Sequence, residues 1–135
     1  MNQLVMSPDL YNRLIEYGSQ ELPYESCGLL CGNGNKVSSI FHLGNEIKST
    51  HRFYISPSTL ESSLAQIGKR DETVLAIYHT HPTSSPTPSR EDVKSHVDPE
   101  IKMVIISFKK EPPEVSCFQI YEHGYISFPL DIKTL

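Results

Sequence analysis

The sequence has no run of basic residues. Lys109-Lys110 is followed at once by Glu111 and Glu114, and the net charge is −4. Nucleic-acid binding needs a concentrated positive footprint, so no nucleic-acid partner is expected. Apolar runs are short as well. Met103 to Ile106 falls far below the roughly 20 residues of a membrane-spanning helix. The start of the chain lacks the charged segment and apolar core of a secretory signal, so the expected compartment is the cytoplasm. Cysteine is scarce: Cys27, Cys31 and Cys117 form an odd set without compact spacing, a poor disulfide framework. No internal repeat or long linker is visible.

The composition that remains is ordinary for a globular protein, 38% apolar and 21% charged. At 135 residues, a chain buries about two-thirds of its unfolded surface and needs no staple. One domain over residues 1–135 is the simplest expectation. Ser7-Pro8-Asp9 reads as a capped helix start, with Leu10, Leu14 and Tyr17 at helical spacing and an end near Glu21. Cys27 to Cys31 and Lys36 to Leu43 read as strands around the turn-rich Gly32-Asn33-Gly34-Asn35. His51 to Ile55 is expected as a third strand. Ser56-Pro57 opens a second helix closed by Gly68. Thr73 to His79 suits a central strand, Pro82 to Pro88 a stiff loop, and Ser89 to about His96 a short helix. Ile101 to Phe108, Val115 to Tyr121 and Tyr125 to Phe128 complete the strands. The order predicts a mixed α/β domain, a sheet covered by helices.

The chemistry concentrates in His79-Thr80-His81-Pro82 and Ser89-Arg90-Glu91-Asp92. Side chains at i and i+2 of a strand share a face, so both imidazoles can reach one point. Asp92 falls in the first turn of the next helix, where its carboxylate can turn back toward them. Two nitrogens and one carboxylate oxygen suit zinc, and three protein ligands leave a fourth position open, as in catalytic sites. Such a site needs a carboxylate to manage the bound water. Glu21, Glu25, Glu46 and Glu91 are candidates that spacing alone does not separate; Glu25 stands immediately before the first core strand. Ser89 and Asp92 also fit a capping box. His42, His51, His96 and His123 have no partner at ligand spacing; Asn45 could orient groups near the site, but the simpler reading is a turn residue after Leu43-Gly44.

His-x-His-Pro, seven residues, then Ser-x-x-Asp resembles the signature of the JAMM (MPN-domain) metallopeptidases. Tyr24-Glu25-Ser26-Cys27-Gly28-Leu29-Leu30 resembles the upstream motif of that family, and His51 to Pro57 resembles the segment leading into its second helix. The likeness runs from about residue 5 to residue 125. It implies a curved mixed β-sheet flanked by helices, like that of cytidine deaminases, with one zinc on His79, His81 and Asp92. It further implies Glu25 as general acid/base and Ser89 as an oxyanion donor. Compact members of this kind resemble enzymes that trim sulfur-carrier proteins ending in Gly-Gly, so a ubiquitin-like or sulfur-carrier protein is the expected substrate partner. The rival reading is a non-catalytic, protein-binding scaffold of the same fold; scaffold relatives typically lose metal ligands, and none is missing here. A nucleoside deaminase would need His-x-Glu and Pro-Cys-x-x-Cys, and a zincin His-Glu-x-x-His; none of these occurs. Oligomeric state stays open, a homodimer included.

Overall fold

A computed structural model describes residues 2–134. The described chain runs β1 (Leu4–Met6), α1 (Pro8–Ser19), β2 (Cys27–Asn33), β3 (Lys36–His42), α2 (Pro57–Lys69), β4 (Thr73–His81), α3 (Arg90–Ser95), β5 (Lys102–Ser107), β6 (Glu114–Tyr121), β7 (Gly124–Ser127) and β8 (Leu130–Ile132). The strands form a sheet in the order β7-β6-β5-β4-β2-β3-β1-β8. Pairing is antiparallel for β2 with β3 and β4, and for β6 with β5 and β7. It is parallel for β4 with β5 and for β1 with β3 and β8.

The two edge strands are joined by Phe128 and Pro129 alone. Across a flat eight-stranded sheet the edges would stand about 34 Å apart. Ser127 and Leu130 can be at most about 11 Å apart along the chain. The sheet therefore curls until its edges nearly meet. The inside of the curl holds the largest apolar cluster, which takes Leu4 and Met6 from β1, Leu30 from β2, Tyr78 from β4 and Val104 and Ile106 from β5. Leu130 and Ile132 of β8 pack on the same cluster. α1 fills the middle through Leu14, fully buried. Gly18 brings the helix close: a Cβ there would lie 2.9 Å from Cγ2 of Thr80.

The outer face carries the other two helices. Ile67 of α2 packs with Leu29 and Cys31, and Val93 of α3 with Met103, Ile105, Phe118 and Ile120. All three helices start as their sequence signals predict, with Ser7, Ser56 and Ser89 accepting N–H groups of the first turn. The curved mixed sheet flanked by helices is the expected fold class.

Three expectations need correction. β1 and β8 were not expected; each has only three residues, and Leu4, Val5 and Met6 are all buried, so no alternation marks them. His51 to Ile55 is not a strand. Its backbone groups bond elsewhere: the N–H groups of His51 and Arg52 donate to Oγ of Ser49, and that of Tyr54 donates to Oδ1 of Asn45. The central strand also runs two residues past His79, to His81.

Leu14→Ala should remove a fully enclosed side chain from the curl and cost about 2–5 kcal/mol. A thermal melt should show a midpoint lower by several degrees; an unchanged midpoint would mean that α1 is not the plug of this core.

Candidate metal centre

His79 and His81 lie at the C-terminal end of β4 and point to the outer face. Register fixes them: His79 pairs with Cys27 on one side and Ile105 on the other, and His81 pairs with Ser107. Thr80, between them, points inward, and its Oγ1 accepts the N–H of Ser26 at 2.8 Å. Asp92 enters from α3. Ser89 caps this helix in a reciprocal box: Oγ of Ser89 accepts the Asp92 N–H at 3.0 Å, and Oδ2 of Asp92 accepts the Ser89 N–H at 2.9 Å. The capping and ligand readings of Asp92 are thus compatible, because the cap aims the carboxylate.

Nε2 of His79 and Nε2 of His81 are 3.2 Å apart, and Oδ2 of Asp92 lies 3.2 and 3.1 Å from them. His79 is fully buried, with His81 5% and Asp92 7% exposed. Nδ1 of His81 donates to the Ser85 carbonyl at 2.8 Å. A carbonyl can only accept, so this nitrogen holds the proton and Nε2 of the neutral ring carries the lone pair. That lone pair faces a carboxylate oxygen at contact distance, an arrangement that needs a shared proton or a cation between them. Ligand atoms about 2.0–2.1 Å from a tetrahedral ion stand about 3.3 Å apart, close to the observed triangle. The three residues fit a divalent metal ion.

Burial pulls the His79 pKa down and outweighs Asp92, keeping its ring neutral. At His81 burial acts the same way, but the hydrogen bond with Asp92 and the Ser85 carbonyl turn the net shift upward. Burial raises the Asp92 carboxyl, yet bonds from His79, His81 and the Ser89 N–H hold it well below the usual carboxylate range. Glu25 is buried beside this group, 3% exposed. Burial pushes its carboxyl up to about 7, with His81 lowering it and Asp92 raising it.

All five sequence-predicted residues therefore sit on the outer face or the edge leading to it, with the histidines and Asp92 in direct contact. Of the other histidines, His42 bonds the Tyr78 hydroxyl on the inner side, and His96 bonds the carbonyls of Asp98 and Ile101. Phe53 was not expected at the site. Its ring stacks on His79 at 5.0 Å. The only signal was its place in an aromatic stretch whose strand reading proved wrong.

The model of the family described as prokaryotic homologs of the JAB domain matches residues 7–121. The chain belongs to this family. The JAMM/MPN resemblance read from its motifs is borne out. The CysO-cysteine peptidase of Mycobacterium tuberculosis is 24% identical over 133 residues, 96% of this chain and 90% of that protein. The desampylase of Pyrococcus furiosus is 26% identical over 104 residues, 77% and 74% of the two chains. The solution structure of DSY2949 from Desulfitobacterium hafniense has a TM-score of 0.89 at 25% identity, covering 98% of this chain and 94% of that one. AF2198, a JAB1/MPN domain protein from Archaeoglobus fulgidus, has a TM-score of 0.60 at 17% identity over 96% and 99%, a likeness of fold. In this JAB-domain chain the described residues include no helix long and apolar enough to cross a membrane.

His81→Ala is expected to lose the metal. After dialysis against zinc, elemental analysis should find little bound, and full occupancy would remove His81 from the ligand set. Zinc, used as the probe ion, should also bind the wild type more weakly as the pH is lowered. The raised His81 pKa means that a proton competes for Nε2 at higher pH than at an ordinary histidine. Calorimetry in two buffers of different ionisation enthalpy reads this as proton release on binding near pH 6; no release would contradict the shared proton.

Proposed function

We propose that the chain is a zinc-dependent peptidase, with one zinc per chain, that hydrolyses the amide bond after the C-terminal Gly-Gly tail of a ubiquitin-like or sulfur-carrier protein. The carrying observation is the buried convergence of His79, His81 and Asp92 beside the buried carboxylate of Glu25. Two relatives, a CysO-cysteine peptidase and a desampylase, support the substrate class. Retention of all three ligands together with Glu25 speaks for catalysis over a scaffold role.

When bound, zinc would supply a Lewis acid for the scissile carbonyl and would acidify the attacking water toward a pKa of about 7. His79, His81 and Asp92 would hold it. Glu25 takes the proton of the attacking water and delivers it to the leaving amine. A carboxyl raised to about 7 is matched to both halves of that task near neutral pH. Ser89 uses its Oγ lone pair to cap α3, which leaves the hydroxyl hydrogen free to donate to the oxyanion.

A cleft of about 350 Å³ runs between Phe53 and Tyr54 on one side and α3 on the other, with Asp92 in its wall. A tail of two glycines fits such a passage because it carries no side chains to clash with the walls.

The test is a small Gly-Gly carrier protein extended at its C-terminus, followed by intact mass with zinc and with a chelator. Cleavage after Gly-Gly, stopped by the chelator and restored by zinc, is the expected result. Zinc-loaded protein that leaves this substrate whole would overturn the substrate class. Glu25→Gln should keep one zinc per chain and slow turnover by about 10²–10⁴-fold; wild-type turnover would remove Glu25 as the proton carrier.

A further inference from the structure

The segment from Glu46 to Tyr54 touches two groups of the site at once. The Ser49 carbonyl accepts the backbone N–H of Glu25 at 2.7 Å. Phe53 lies against the His79 ring. The segment makes no strand pairing, so something else must hold its shape.

Asn45 does so. It is buried, 7% exposed. Its Oδ1 accepts the N–H of Ile47 at 3.2 Å and of Tyr54 at 3.1 Å, and its Nδ2 donates to the Arg52 carbonyl at 2.8 Å. The Glu46 N–H donates to the Tyr54 carbonyl at 3.2 Å, closing the neck of the loop. A turn residue bonds two positions on, as the Ile47 contact does. The Arg52 and Tyr54 contacts reach seven and nine positions on, so they brace a loop and do not belong to a turn. From the other side, Oε1 of Glu21 accepts the Asn45 N–H at 3.0 Å. The Glu21 carbonyl accepts the Tyr24 N–H at 2.8 Å, immediately before Glu25. Asn45 is thereby tied to the chain leading into Glu25 and to the loop that holds Glu25 by its backbone.

We propose that Asn45 is a positioning residue of this site: it clamps the Glu46–Tyr54 loop so that Ser49 fixes Glu25 and Phe53 covers His79. The catalytic half of this role rests on the peptidase reading above; the metal-holding half rests on the geometry alone. The demand is for one donor and a double acceptor on the same short side chain, which an amide meets and a carboxylate does not. Aspartate would keep both acceptor bonds, lose the bond to Arg52, and set a charge next to Glu21.

The test compares zinc-loaded full chains of wild type, Asn45→Ala, Asn45→Asp and Leu14→Ala, well below the lowest unfolding midpoint. Zinc affinity is read by chelator competition, and kcat and KM on the extended Gly-Gly carrier. Leu14→Ala lowers stability from the opposite face and should keep wild-type kcat and zinc affinity. Asn45→Ala should lose about 10–100-fold in kcat, the usual scale for outer supports of a metal site, with KM moving far less and zinc affinity falling about tenfold. Asn45→Asp should fall between, and it carries the test if the alanine variant does not fold. Wild-type kcat and zinc affinity in both Asn45 variants would overturn the clamp. An equal loss in Leu14→Ala would also overturn it, by reducing the effect to general destabilisation. A wild type that holds zinc but cleaves nothing removes the peptidase reading, and zinc affinity then decides the clamp by itself. A wild type that holds no zinc overturns both.

Discussion

β4 has an antiparallel partner, β2, on one side and a parallel partner, β5, on the other, and the site follows from that change of direction. An antiparallel pair can be closed by a short turn, whereas a parallel pair forces the chain to cross back over the sheet. Residues 82 to 101 make that crossing on the outer face. They must leave from the end of β4, where His79 and His81 point outward. α3 lies in the crossing, so its first turn arrives over the two imidazoles. The antiparallel partner contributes the remaining element: β2 starts where β4 ends, which places Glu25 at the same end of the sheet. Four residues from three stretches of the chain meet because one strand is paired in two directions.

What meets there calls for a shared proton or a cation. Two imidazole nitrogens and a carboxylate oxygen lie within 3.2 Å of one another in a buried setting. Packing alone does not favour such a triangle, since closely spaced buried polar groups cost free energy unless a proton or cation joins them. It persists because each member is held from behind: His81 by the Ser85 carbonyl, Asp92 by the Ser89 cap and β4 by its two neighbours. The loop that supplies Ser85 is itself anchored, as Oγ of Ser107 donates to the Ser84 carbonyl at 2.6 Å. A site pre-shaped in this way loses little order when a metal arrives, and metal binding then adds to the stability of the fold.

The His79, His81 and Asp92 group was legible in the sequence because its geometry is local. Period-two spacing puts His79 and His81 on one face, and a capping signature locates Asp92 within its helix. Glu25 was not readable from spacing; its place depends on β2 pairing with β4, a contact across 54 positions of chain at Ser26 and Thr80. The family motif supplied what pattern could not. The loop from Asn45 to Tyr54 was misread for a related reason. Phe53 and Ile55 alternate with more exposed neighbours as strand residues do, but no neighbouring strand is there to bond them. An asparagine side chain takes that role, and a single side chain acting as a strand's partner leaves no periodic trace. β1 and β8 are short edge pieces whose pairing is dictated by the curl of the whole sheet, which local pattern does not encode.

Proton carriage and metal holding place opposite demands on water, and one wall reconciles them. His79 must stay neutral for its lone pair to be available, and burial secures this by pulling its pKa down. The same dry surroundings act on Glu25 with the opposite sign, because there the charged form is the base; burial lifts it to about 7. A cation on the three ligands favours the carboxylate and draws Glu25 back down. Burial and a cation would thus pull the carboxyl in opposite directions. Phe53 sits on the His79 side of this balance and Ser49 on the Glu25 side. Both belong to one loop, so a single brace at Asn45 would set the surroundings of His79 and the placement of Glu25 together.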